Sequence, residues 1–246
     1  MFELTLSTTI DKQTYLGEFF SKLNQDVRQD DGVIVKQNNN GRAYLALAVN
    51  ETKKDYYKSK ILDCVLFMII DDYKYNFYKD NLQMNETSVI FPAFLKAISI
   101  FDAENDKDII KSQIHLSGEI LIDSFFYFKL QLLRARWERT ANVINQNGIV
   151  QSTASMLDII KYLIAISDDG IAHANVMLCK KQIILKTFEG EKRFKNDFLG
   201  LSNFFVEIVK VNPSKVSIKN NATQGTYDET VEILEHVFSD KIYITN

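Results

Sequence analysis

A long run of helix-forming sequence lies between two strand-containing ends, and this order limits the fold class more than any other feature. Apolar residues recur at helical spacing from about residue 56 to residue 168; after Thr153, for example, Met156, Ile160 and Leu163 define one apolar face. Only two prolines and nine glycines interrupt the 246 residues, which suits long helices. The sequence therefore predicts an α+β protein with a helical middle.

The chain divides into three portions by the type of pattern. Residues 1–86 predict a βαββ order followed by the first long helix, residues 87–168 predict helices alone, and residues 169–246 predict a ββαβαβ order. We expect the two terminal strand groups to share one sheet or to lie in adjacent sheets, because either group alone has little core. The three portions would then form one composite domain.

Composition and charge limit the classes of protein that this chain can belong to. The net charge of −3 gives no overall attraction to nucleic acid or to anionic membranes. Cys64 and Cys179 lie far apart in apolar stretches, which indicates reduced, buried thiols and not a disulfide framework. No apolar run reaches the ~18 residues of a membrane span, and the N-terminus lacks the pattern of a signal peptide. We therefore expect a soluble, cytoplasmic protein.

Three segments, taken in order, carry a family resemblance. Residues 120–130, ILIDSFFYFKL, are an apolar run that leads into a helix; residues 157–164 form a later helix; residues 197–244 follow the order helix, proline turn, strand, helix, strand. These segments resemble the YtxC-like family of sporulation-associated proteins from low-GC Gram-positive bacteria, with Ser124 in place of the family's Gly and Lys129 in place of its Arg. The resemblance implies a cytoplasmic protein linked to spore formation, provided that the source organism forms spores. It carries over no catalytic, cofactor-binding or metal-binding residue.

The sequence has none of the common catalytic or cofactor motifs. HExxH, CxxC, GxSxG and the glycine-rich nucleotide loops are absent. His115, His173 and His236 have no Cys or second His at metal-ligand spacing, so we interpret them as structural. Cys179 precedes two lysines, which favour a thiolate, but nothing marks a partner base. We therefore predict no catalytic residue, cofactor or metal ion.

Adjacent carboxylates occur at residues 30–31, 71–72 and 168–169. The first and last pairs lie at turns, where Asp side chains bond to local amides. Asp71 and Asp72 lie within a predicted helix, and we interpret them as part of a solvated face. The alternative is that one of them faces a cavity, as in a metal-assisted hydrolase.

Two basic patches remain as candidate interaction surfaces. The first lies at 129–139 beside Trp137, which we expect to be at least half buried. The second lies at 180–195 and has phenylalanines interleaved with its cations. The residues that we name as a possible interaction surface are Lys129, Arg136, Arg139, Lys180, Lys181, Lys192, Arg193 and Lys195. We interpret both patches as solvated, ion-paired surface; the alternative is a nucleic-acid-binding accessory protein.

Taken together, these patterns favour a non-enzymatic, cytoplasmic, sporulation-associated protein that acts through contacts with partner proteins. Nucleic-acid binding through the basic patches is the alternative. A metal-assisted hydrolase with carboxylates around Asp71 and Asp72 is the third candidate.

Overall fold

The chain has an α+β fold, as its patterns predict. The computed structural model describes residues 1–26, 31–84, 88–167, 173–222 and 225–245. These residues form two compact units, the first made of Met1–Lys74 and Asp102–Glu138 and the second of Tyr75–Phe101 and Arg139–Asn246. The units differ in their bounds from the three predicted portions, because the predicted helical middle divides between them.

The strands and helices are numbered in chain order. The strands are β1 (Phe2–Thr9), β2 (Gly32–Asn39), β3 (Arg42–Val49), β4 (Gly118–Leu121), β5 (Ala174–Cys179), β6 (Gln182–Thr187), β7 (Gly190–Lys195), β8 (Val216–Asn220) and β9 (Ile242–Thr245). The helices are α1 (Gln13–Asp26), α2 (Lys54–Phe67), α3 (Tyr75–Asn81), α4 (Phe91–Ile100), α5 (Ala103–Gln113), α6 (Ile122–Ser124), α7 (Gln131–Gln146), α8 (Thr153–Ile166), α9 (Phe198–Val211) and α10 (Asp228–Phe238). Two π-helical segments lie at Met68–Lys74 and Phe125–Lys129.

The first unit is built on an N-terminal sheet. Among the described residues its strand order is β2-β3-β1-β4, with β1 antiparallel to β3 and parallel to β4. One face forms the core, where Leu6 and Leu45 are opposite each other and fully buried. The predicted βαββ order is present. The fourth strand, β4, was not predicted, because it has only four residues and Ile120 is its one buried side chain.

The first long helix contains a π-helical segment that the periodicity did not predict. Six of the seven residues in Met68–Lys74 are buried, including Asp72, Tyr73 and Lys74. A regular α-helix turns its side chains through the full circle in 3.6 residues, so such a run normally exposes more of them. The π-helical geometry thus accompanies three consecutive polar side chains that all face the interior of the unit.

The second unit is built on a C-terminal sheet. Its order among the described residues is β7-β6-β5-β8-β9, with β7, β6 and β5 antiparallel and β8 and β9 parallel to β5. Helix α9 connects β7 to β8, and α10 connects β8 to β9. The predicted ββαβαβ order lacks β7. That strand, GEKRFK, is rich in charge because it forms the sheet edge, and only Phe194 in it packs inward against Phe204.

The two terminal strand groups form separate sheets, which excludes the first of the two expected arrangements. Each group instead gains its core from helices. In the second unit, α4 packs against α8 and α9, and α8 packs against α10. Eight of the ten residues of α4 are buried, which makes it the central helix of that layer.

No helix among the described residues is long and apolar enough to cross a membrane.

Candidate interaction surfaces

The three basic residues of the first predicted patch have different surroundings, and one of them forms ion pairs. Arg136 contacts Asp102 at 2.5 Å and Asp106 at 3.7 Å, within the first unit. Lys129 is exposed at the end of its π-helical segment, and Arg139 is exposed on the part of α7 that belongs to the second unit. The interpretation of this patch as ion-paired surface therefore describes Arg136 well.

Trp137, beside that patch, is 2% exposed, which confirms the prediction that it is buried. Its indole nitrogen donates to Asp106 at 3.1 Å, and its ring stacks on Phe126 at 5.9 Å between centroids. Lys74 donates to the same Asp106 carboxylate at 2.6 Å. Burial lowers the pKa of Lys74, and the charge of Asp106 opposes that shift.

Asp72 is 6% exposed, so the interpretation of a solvated face is wrong for this residue. The π-helical segment turns Asp72 inward, where Lys12 donates to its carboxylate. Lys12 also lies over the ring of Tyr73, with 4.4 Å between the ammonium and the centroid. Burial, followed by the charge of Asp72, raises the pKa of nearby Tyr15 to about 12.

Asp123 lies at the centre of a second polar network, at the carboxyl ends of β1 and β4. It accepts hydrogen bonds from Tyr73 at 2.5 Å, from Arg42 at 2.9 Å and from Thr8 at 3.3 Å. Burial opposes ionisation of Asp123, but the bonds from Tyr73 and Arg42 outweigh it and lower the pKa of the carboxyl. Leu121 precedes α6, and no side chain caps that helix.

The buried carboxylates of the first unit are neutralised within the chain. Asp72 and Asp123 are each bound by a cation of the chain itself. Within the described ranges, no three His, Cys, Asp or Glu side chains form a group that could hold a metal ion. Asp31 lies 3.8 Å from Lys53. The prediction for residues 30 and 168–169 lies outside the described residues.

The histidines and cysteines have ordinary structural surroundings. His173 bonds to Ser217 and His236 to Asp158, each at 2.8 Å. Cys64 is buried, and burial raises the pKa of its thiol. Cys179, at the end of β5, is half-buried.

The outer face of the N-terminal sheet carries exposed aliphatic residues beside polar ones such as Gln37, Asn39 and Arg42. The residues that share this face by register include the following, which we call the apolar face: Val33, Val35, Tyr44, Ala46, Ala48, Thr5 and Leu121. Val33 is 57% exposed, Val35 50% and Leu121 39%. Glu3 and Glu119 are the carboxylates that share this face among the described strand residues.

A groove of about 370 Å³ continues from this face along β4, the edge strand of the sheet. Leu121 and Phe128 line it, and Phe128 is 72% exposed. His115 and Lys129 lie at the same groove. An edge strand offers unpaired backbone groups, so the groove adds hydrogen-bonding capacity to an apolar surface.

The outer face of the C-terminal sheet has the opposite chemistry. Five cations lie on this face by register, one of them just before the first residue of β8. We call them the cationic face: Lys186, Arg193, Lys195, Lys215 and Lys219. Glu191 is the one carboxylate on the face among the described strand residues, and it pairs with Lys186 at 2.9 Å and Arg193 at 2.7 Å. No ion pair to Lys195, Lys215 or Lys219 is present within the part of the chain that the structure describes.

The second predicted patch is thus partly assembled. Lys195 pairs in register with Gln182, and Asn196 donates to the carbonyl of Lys181, so the turn lysines lie at the same end of the sheet as Lys195. Lys192 points to the opposite face and binds Glu207 of α9. It therefore does not belong to the stripe that the sequence suggested.

Sequence reasoning missed three residues of this face: Lys215, Lys219 and Tyr243. Lys215 and Lys219 flank β8, far along the chain from the basic segment, and they come beside it only through the parallel pairing of β8 with β5. Alternation of side chains along each strand is the one signal that could have found them.

Comparisons with protein-family models, with curated proteins and with solved structures found no match to this chain.

Proposed function

We propose that this protein acts by binding a partner protein in the cytoplasm, without catalysing a reaction, and that this contact serves spore formation. The observation that carries the proposal is the apolar face of the N-terminal sheet. Sheets in folded domains usually bury one face and expose polar side chains on the other. Here the exposed side also presents aliphatic residues, among them Val33 and Val35.

The arrangement of this surface fits a protein partner. Val35, Ala46 and Thr5 lie side by side across three strands, and their small size makes that row flat. The groove along β4 adds Phe128, a large ring at the margin. Exposed apolar surface next to an open strand edge favours a partner that packs on the face and adds an extended segment at the edge.

The link to spore formation depends on the resemblance of three segments to the YtxC-like family. The segment at 120–130 includes Leu121 and Phe128, which lie on the proposed surface. We infer that the resemblance and the surface concern the same function. Cells that lack the protein should then form fewer heat-resistant spores.

The test is site-specific photocrosslinking in cells entering sporulation. A benzoylphenylalanine at position 35 should crosslink one partner protein, whereas the same residue at position 143 should not. Val143 is a suitable control because it is 54% exposed and belongs to helix α7 and not to a strand. The purified partner should bind the wild-type protein, and the Val35→Glu variant should lose that binding while Val143→Glu retains it.

Three results would contradict the proposal. Equal crosslinking from positions 35 and 143 would show that the apolar face is not a specific surface. Crosslinks only between two copies of this chain would make the face a homodimer interface. Normal spore counts without the protein would remove the link to sporulation and leave the protein contact standing.

A further inference from the structure

We propose that the cationic face of the C-terminal sheet binds single-stranded nucleic acid. This activity goes beyond the proposed protein contact and involves different residues. The five cations of the face come from three strands and from the residue just before β8, so they form a two-dimensional surface and not a linear basic segment.

The positions of the charges follow rows across the sheet. Arg193, Ile184, Met177 and Lys219 form one row, with a cation at each end and two apolar side chains between them. Neighbouring strands lie about 4.8 Å apart, so the two cations are separated by about 14 Å. Ile184, in the middle of this row, is buried, so an extended strand would contact the two end cations through phosphates that are not adjacent in its backbone.

An exposed aromatic ring completes the next row. Tyr243 of β9 is 51% exposed, and the ammonium of Lys215 lies 4.3 Å from its ring centroid. Every nucleobase offers a flat π-face, so an exposed ring flanked by a cation is a general stacking site. Asn175 occupies the same row, is exposed and supplies hydrogen-bonding groups for base edges; Ser217, also in this row, bonds to His173.

The opposite face is closed, which leaves this face as the outer surface of the sheet. Val176, Leu185 and Ile218 point to that opposite side and are buried. Helix α9 packs there through the contact of Phe204 with Phe194. A five-stranded sheet is too broad for the major groove of a duplex, which admits a helix or a two-stranded ribbon. Single strands, whose bases are unstacked and accessible, fit such a sheet better.

The net charge of −3 does not exclude this activity. At ~150 mM salt, charges farther apart than about 8 Å are largely screened, so a strand on the sheet responds mainly to the local cations.

The experiment is fluorescence anisotropy with the full chain and labelled single strands of about 12 nucleotides, oligo(U) and oligo(dT) in separate arms. We expect micromolar binding at ~150 mM salt in at least one arm, with affinity falling as salt rises. With about three phosphates neutralised, the log–log slope should be about −2. Comparison of the two arms identifies whether RNA or DNA is preferred.

Variants test whether the face is the site. Arg193→Glu combined with Lys219→Glu should weaken binding by about tenfold or more. The matched control is Lys161→Glu on α8, an exposed lysine that is not part of the sheet. Tyr243→Leu should weaken binding about fivefold or more, and Tyr243→Phe, which retains the ring, should not. Circular dichroism confirms that each variant is folded.

Each remaining outcome would overturn the proposal. Undetectable binding of both oligonucleotides at ~150 mM salt would show that the cations are only solvated surface. Equal losses from Lys161→Glu and the double variant would show that binding is not localised. Polyglutamate that binds as tightly as the oligonucleotides, and independently of Tyr243, would make the face a site for acidic protein.

Discussion

Single residues in the first unit carry charges into its interior, and Asp123 is the clearest case. Its carboxylate is 14% exposed and holds Arg42, Tyr73 and Thr8 together. The side chains come from β1, β3 and the π-helical segment, so one residue connects three elements that are distant in sequence. Removing one partner of a mostly buried ion pair leaves the other charge buried and unpaired. The resulting loss of folding free energy is larger than the net stabilisation that the intact pair provides.

Asp123→Asn should therefore destabilise the protein by about 3 kcal/mol at neutral pH. The pKa of Asp123 is lower in the folded chain than its ordinary value of 3.8. The resulting stabilisation is fully present above pH 3.8 and is lost as the pH falls through the lower, folded value. Urea midpoints measured from pH 7 downward should show this acid loss in the wild type and a smaller loss in Asp123→Asn.

Glu191→Gln is the control for that measurement. Hydrogen bonds from Lys186 and Arg193 also lower the pKa of Glu191, but this carboxylate is at the surface. Solvent screens such a pair, so the substitution should leave the urea midpoint nearly unchanged. A large effect of Glu191→Gln, or none of Asp123→Asn, would contradict the assignment of the acid dependence to the buried network.

Trp137→Ala should destabilise the protein by about 3–5 kcal/mol, because it removes a buried ring and leaves Asp106 without one of its donors. Leu132→Ala, on the same helix, should change stability by no more than about 0.5 kcal/mol, because Leu132 is 82% exposed. Thermal and urea unfolding of the two variants give the comparison. Similar values for both would show that the indole is not part of the core.

At the scale of elements, a strong repeat of apolar residues was sufficient to predict a helix, whereas elements with a weak repeat were missed. The repeat of apolar residues in α8 and α9 predicted both helices, because their buried faces are continuous. The repeat could not reveal the segment Met68–Lys74, since a π-helical turn depends on tertiary partners such as Lys12. It also missed β7, whose charges are typical of an edge strand.

The same limit applies to the candidate sites. Lys181, Arg193 and Lys195 were predicted together because they are close in sequence. Lys219 was not, because only the pairing of β8 with β5 brings it to the same face. The apolar face was missed, although the continuous apolar run at 43–49 in β3 makes both sides of that strand apolar, because the sequence does not show whether another element covers the second side.

The packing of α9 on β7 gives a prediction for one glycine. A Cβ at Gly200 would lie 2.0 Å from the carbonyl oxygen of Lys195, which is backbone and cannot move aside easily. Gly→Ala in a helix normally stabilises by about 1 kcal/mol. Here we expect Gly200→Ala to destabilise by about 1–3 kcal/mol, because the helix must shift from the strand. Chemical denaturation measures the sign.

Gly148→Ala provides the comparison for Gly200. Nothing lies within 4 Å of a Cβ at Gly148. The loss of stability in Gly148→Ala therefore comes only from the backbone φ of 62°, which an alanine rarely adopts. That strain is about 1–2 kcal/mol. A stabilising Gly200→Ala would mean that α9 and β7 are less closely packed than described.

At the scale of the whole molecule, each unit has a sheet with one closed and one open face, and the two open faces differ in chemistry. Val33 and Val35 represent the apolar face, and Arg193 and Lys219 represent the cationic face. Apolar surface is used mainly for protein contacts, and concentrated positive charge attracts polyanions. This difference favours a protein that connects two partners of different kinds over one that binds the same partner twice.

The two binding activities should therefore be separable by mutation. Val35→Glu should abolish capture of the protein partner and leave the affinity for oligonucleotides unchanged, because no residue is shared between the faces. Arg193→Glu with Lys219→Glu should have the opposite effect. Binding of the purified partner and oligonucleotide anisotropy, measured on the same set of purified variants, give both readouts. If either variant weakens both activities while its fold is intact, the faces do not act independently, and one binding event depends on the other.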